Sequence, residues 1–227
     1  MRRTLAIGML CAPLFASPAH AETLLHLSDT ETVTVAPDEL AGALRAEATS
    51  ASPADAQRRV NTAMANALAE ARKVAGMTIS TGAYSVWHVG PTPQDRSERW
   101  QASQTLNLTS HDGVALLTLV GTLQQGGMAI DALNWQLSRE AQRKAHAEAL
   151  RAAIAALRGR ATEAANLLEL RFDSFKEVRL EQTVPPPIPR FGPVMAMAAP
   201  AAAPPSAVAA DLPVSATVEA DAILLPK

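Results

Sequence analysis

Apolar and polar residues alternate at period two through Thr32-Val33-Thr34-Val35. They do so again through Leu40, Leu44, Ala46 and Ala48, after the turn chemistry of Pro37-Asp38. Successive side chains of a strand point to opposite faces, so the pattern predicts two strands joined as an opening β-hairpin. The period then changes. Ser52-Pro53-Ala54-Asp55 offers an N-cap hydroxyl, a proline at the first helical position and an acid at the positive end of a helix. Ala56, Val60, Ala63, Met64, Ala67, Leu68, Ala71 and Val74 recur from there at helical spacing, and Gly76 is placed to end the run. A long amphipathic helix with one face on a sheet is expected.

Met77 to Val89 and Trp100 to Ser110 read as two more strands, separated by the polar loop Gly90 to Arg96. In the second, Trp100, Ala102, Leu106 and Leu108 alternate with Gln101, Ser103, Asn107 and Thr109. Asp112 predicts the cap of a shorter helix through Val114, Leu117, Val120 and Leu123, closed by Gly126-Gly127. A strand with Leu133, Trp135 and Leu137 on one face follows. Ser138 opens an alanine-rich helix to about Leu168, with Leu150, Ile154, Leu157, Ala161, Ala164 and Leu168 as its expected buried stripe. Leu170 to Leu180 reads as a strand after it.

Residues 184–213 change character: nine of the thirty are proline and nine alanine, which predicts a flexible excursion without regular hydrogen-bonded structure. Beyond it Val214, Ala216, Val218 and Ala220 alternate with Ser215, Thr217, Glu219 and Asp221, so a final strand should return to a sheet. The pattern as a whole predicts an α+β fold: antiparallel or mixed sheets packed by long Ala-rich amphipathic helices, with a proline-rich excursion before a last strand.

The first residues set an address. Arg2 and Arg3 precede an apolar run from Leu5 to Phe15 that is too short to span a bilayer, and Ala19-His20-Ala21 places small residues at Ala19 and Ala21, the two positions a signal peptidase reads. Residues 1–21 are therefore expected to be a cleaved signal peptide, and the mature chain soluble in the periplasm. Cys11 follows Leu10, where lipidation would need a small residue, so a lipid anchor is not expected. Cleavage removes two of the 20 basic side chains and the only cysteine, leaving 18 basic against 22 acidic groups and no thiol. Mild acidity argues against a nucleic-acid partner. No later apolar stretch is long enough for a membrane helix.

Candidate chemistry is thin. Ser110-His111-Asp112 holds three triad residue types, but neighbours in an extended segment point apart, so a strand end followed by a helix cap is the better reading. His26, His88, His111 and His146 share no helix turn or strand face, which argues against a metal site. Met195 and Met197 are too few sulfurs for a copper site, and Pro186-Pro187-Ile188-Pro189 reads as a stiff spacer. Trp100 and Trp135 fall in phase with aliphatic neighbours and are expected in the core. Tyr84, Trp87 and His88 are the residues left over for a binding surface. The residues assign no catalytic, cofactor or metal role.

Several local motifs in this order resemble the SIMPL-domain family, also called the periplasmic immunogenic protein family. They are Val33-Thr34-Val35-Ala36-Pro37-Asp38, the Ala-rich helix from Ala54 to Gly76, Ile79-Ser80-Thr81-Gly82-Ala83-Tyr84-Ser85-Val86, Trp100-Gln101-Ala102-Ser103-Gln104-Thr105-Leu106, and Ala145 to Leu168. The chain departs from the family at Asp29-Thr30-Glu31-Thr32, which lacks its early glycines, and at Leu168-Glu169, where Leu-Gly is usual. The resemblance implies a two-lobed α+β fold over 22–227, with lobes about 22–110 and 111–227. It implies an envelope location, an association with oxidative-stress tolerance, and no established enzyme activity. The function expected is thus non-enzymatic, by binding or self-assembly, with a homo-oligomer or an envelope protein as partner and no cofactor. The competing expectation is a periplasmic hydrolase or redox enzyme with dispersed residues.

Overall fold

The computed structural model describes residues 22–91, 97–180 and 207–227, so the expected signal segment and residues 184–206 of the proline-rich stretch lie outside the described residues. The elements are β1 (Thr23–Val35), β2 (Glu39–Ser50), α1 (Pro53–Ala71), β3 (Thr78–Val89), β4 (Arg99–Ser110), α2 (Gly113–Gln125), β5 (Ala129–Gln136), α3 (Arg139–Leu167), β6 (Leu170–Leu180) and β7 (Leu212–Pro226). Two sheets form, one ordered β3-β4-β2-β5 and one ordered β1-β7-β6. The class is α+β, as the periodicity predicts.

The expected opening hairpin is not made, because β1 and β2 enter different sheets. Period two announces a strand and its buried face, but says nothing of which strand lies beside it. The expected division near residue 110 also gives way. Among the described residues, contacts group those of 30–152 with 207–216 in one compact unit, and 22–29 with 153–180 and 217–227 in another. Residue 110 falls inside the first of these, between β4 and α2.

In the larger unit, β2-α1-β3-β4-α2-β5 fold into an antiparallel sheet with β2 paired to both β4 and β5 and β3 paired to β4. This is the split βαβ arrangement of a ferredoxin-like fold. One sheet face carries Leu40, Leu44, Ala102, Leu106 and Leu108, and the helices cover it with Val60, Met64, Leu116, Val120 and Leu123, all essentially buried. Each leucine so buried is worth about 1.5–3 kcal/mol. The other face is polar, since β4 presents Gln101, Ser103, Thr105, Asn107 and Thr109 there. An antiparallel sheet tolerates this, because helices are needed on one side only.

Helix ends follow local chemistry. Asp112 caps α2 by accepting the Ala115 N–H at 3.0 Å. At the other end Gly127, at φ 90°, lets the Met128 N–H reach the Leu123 carbonyl and its own N–H reach that of Gln124, both at 3.0 Å. Ser52 stands at the start of α1, but its hydroxyl makes no capping bond, and Pro53 supplies the start instead. The buried face of α2 is Gly113, Leu116, Leu119, Val120 and Leu123, with Val114 left 76% exposed, contrary to the expected stripe. The helix is apolar nearly all round, so the sequence leaves its orientation undetermined.

The smaller unit is built on β7, the middle strand of its sheet. Its alternate residues from Val214 to Leu224 are buried, as expected for a final strand that docks back. β6 runs antiparallel beside it. Ala161 and Ala165 of α3 lie against Ala222 and Leu224, rimmed by Leu25, Leu27, Leu170, Phe172 and Phe175. The buried line of α3 is Ala145, Ala149, Ala153, Leu157, Ala161 and Ala165, four residues apart throughout, whereas Ile154 and Leu168 of the expected stripe are 37% and 55% exposed. Small side chains let a helix sit close on a strand of small residues; Leu157 is the one bulky member of the buried line.

Candidate binding surface

β3 lies at an edge of the four-stranded sheet and brings Tyr84, Trp87 and His88 onto one short length of strand. Its register against β4 shifts between Thr81 and Tyr84, so residues 84–89 form the regular outer part. Val86 pairs with Ala102 and packs against the core, which fixes the alternation. Tyr84 and His88 project to the helix side, and Trp87 to the polar side beside Gln101. The three expected surface residues therefore share an edge but straddle its two faces. Tyr84 and Trp87 remain 41% and 38% exposed. The His88 ring meets Trp100 edge-on at 5.1 Å, and its Nε2 stands 3.7 Å from Glu98. Trp100 is half-buried by this contact rather than sunk in the core.

Trp135 is also half-buried. Its six-membered ring lies so close to Gly113 that a Cβ there would come within 2.6 Å of it, and its indole N–H donates to the Ala207 carbonyl at 3.2 Å. His111, Asp112, Val114 and Leu117 complete an open depression of about 640 Å³ around it.

Ser110-His111-Asp112 does what a strand end and a cap require. The Ser110 hydroxyl accepts the Asp112 N–H at 3.0 Å and Asp112 caps α2. His111 turns away, its Nδ1 2.6 Å from the Asp38 carbonyl oxygen. No local motif announces the network this opens. Asp38 reaches across one hundred residues to accept both the Ser138 N–H at 2.7 Å and its hydroxyl at 2.8 Å, while Ser138 Oγ accepts the Ala141 N–H at 3.2 Å and so caps α3. Burial pushes the Asp38 carboxyl up, but the Ser138 bonds, its own N–H and the nearby His111 outweigh this and hold it below the usual carboxylate value. The acid sits between serine and histidine, so the Ser138 hydroxyl donates to the Asp38 carboxylate and the His111 ring bonds to the Asp38 carbonyl oxygen instead. Asp directly after Pro37 is the one signal that could have marked it.

His26 is bonded to Asp221 at 2.7 Å, so His26, His88 and His111 serve three separate partners. Among the described residues no three metal-ligating side chains converge, and no helix is long and apolar enough to cross a membrane. Ala19, Ala21, Pro186, Pro187, Met195 and Met197 lie outside the described residues.

Comparison with curated proteins finds no match to the chain. The model of the SIMPL family, described as a protein of unknown function (DUF541), matches residues 25–222.

Proposed function

Since the chain belongs to the SIMPL family, we propose that it is a periplasmic envelope protein that acts by binding or self-assembly rather than by turnover, in the service of oxidative-stress tolerance. The observation that carries this reading is the β3 edge, where two aromatic side chains stay more than a third exposed on a regular strand with no described neighbour on its outer side. Exposed aromatics on rigid backbone are the usual anchors of an interface, because they bury large area at little cost in side-chain freedom. The signal-like first residues support the address, and the polar networks described are occupied with capping helices and closing turns.

The test combines an activity screen of the purified chain with native mass spectrometry of the same sample. Binding or self-association that weakens in Trp87→Ala, with no turnover, is the expected result. Hydrolysis or redox turnover abolished by His111→Ala would overturn the reading.

A further inference from the structure

Four strands form sheet edges among the described residues: β1, β6, β3 and β5. Proteins protect such edges with charge, shortness or bulges, since unpaired N–H and C=O groups template further pairing. β1 carries Asp29 and Glu31, β6 carries five charged residues and two register shifts, and β5 is eight residues long and carries Asp131. β3 has no Asp, Glu, Lys or Arg in twelve residues. Its single irregularity, at Thr81/Tyr84, leaves Tyr84-Ser85-Val86-Trp87-His88-Val89 regular, neutral, free of proline and rich in strand-forming side chains.

We infer that this edge pairs with the same edge of a second copy of the chain, antiparallel and about a two-fold axis, joining two four-stranded sheets into one of eight strands. The inference rests on the binding reading above and names its occupant. A charged edge of one sign would repel its own copy, whereas a neutral edge meets no such penalty. The proline-rich sequence of 184–206 is a poorer rival, because prolines interrupt all of it but Val194 to Ala199 and offer no N–H to a ladder. A two-fold axis normal to the sheet keeps the helix sides of both copies together, so opposed residues must share a face and the axis must pass midway between a residue and its own copy. Centring on Val86 sets Tyr84 opposite His88 of the second copy and Ser85 opposite Trp87, using the regular segment and sparing the bulge. Such a contact closes on itself and stops at two copies.

Sedimentation of the purified chain should report two copies. Ser85→Lys places two ammonium groups diagonally across the axis, about 7–8 Å apart at the backbone, and should raise the dissociation constant at least tenfold. Asn134→Lys on the β5 edge should leave it unchanged. In a Cys11→Ser background, Val86→Cys should form a disulfide between copies under mild oxidation, since directly opposed strand residues lie within disulfide reach. A single copy at every concentration up to about 100 µM, or two copies that persist in Ser85→Lys without a Val86→Cys crosslink, would overturn the pairing. Turnover in the activity screen would instead remove the binding reading, so the two failures are told apart.

Discussion

The two compact units solve the same problem with opposite materials. The larger fills the space between sheet and helices with leucine, from Leu40 and Leu44 through Leu106 and Leu108 to Leu116 and Leu123. The smaller brings α3 onto β7 through Ala161, Ala165 and Ala222, with Leu224 as the one large buried side chain in that contact. Leucine packing holds by the apolar area it removes from water, and alanine packing by the closeness it permits. The first should therefore suffer most when side chains shrink, and the second when they grow.

The largest effect should come from Leu106→Ala. Leu106 has no exposed surface, and its loss would leave a cavity between β4 and the helices at a cost of about 2–5 kcal/mol. Urea unfolding measures it. A cost below about 1 kcal/mol would mean that the core can collapse onto the gap, and that its leucines are interchangeable filling.

Next comes Ala161→Leu, the converse change in the smaller unit. Ala161 is fully buried, and three extra carbons would have to push α3 from the strand, costing about 1–3 kcal/mol by overpacking. In helix propensity the two residues are near neighbours, so a loss of stability would report the contact and not the helix. If the variant unfolds at the wild-type urea midpoint, the alanine line is not a close contact and the contrast between the units fails.

The same contrast explains what could be read from the chain beforehand. Elements with one strong period, such as β4 with Ala102, Leu106 and Leu108 alternating against polar residues, are legible because burial of one face is all that decides them. The final strand was legible for that reason too, even after a proline-rich stretch. The orientation of α3 was not. Its buried line is alanine apart from Leu157, and the expected stripe meets that line at Leu157 and Ala161 but strays from it at Ile154 and Leu168. Strand partners were equally hidden, since Val33 and Val35 mark a strand without saying that β7 will lie beside it. Of the candidate surface, the sequence showed Tyr84, Trp87 and His88 as unclaimed, but their edge position follows only from the order β3-β4-β2-β5. The Asp38–Ser138 bond spans too much chain for any local motif to show it.

The smallest effects should be electrostatic, and they again set the two units apart. Asp38 in the larger unit and Asp221 in the smaller are both held below the usual carboxylate value. For Asp38 the Ser138 and neighbouring bonds overcome burial, and for Asp221 the His26 bond leads. A carboxyl whose folded value is depressed adds stability that is fully present above its unfolded value, about 3.9, and is lost as the pH falls through the folded one. Both residues thus favour the fold at neutral pH and cease to do so in acid below about pH 4. The sizes should differ. Asp38 holds a backbone N–H at a helix start together with a hydroxyl, so Asp38→Asn should cost about 1–2 kcal/mol at pH 7 for a partly exposed charge-assisted pair. Asp221 meets one histidine on a neighbouring strand, in a contact that water screens, so Asp221→Asn should cost less than Asp38→Asn at every pH. Urea titrations of both variants and the wild type at pH 7 and pH 3 decide it: the Asp38→Asn difference should shrink at pH 3, because below the unfolded carboxyl value the wild type is losing the stability that this charge supplies. Should Asp221→Asn prove the costlier change, the strand-to-strand pair, and not the turn-to-helix anchor, would be the stronger polar tie.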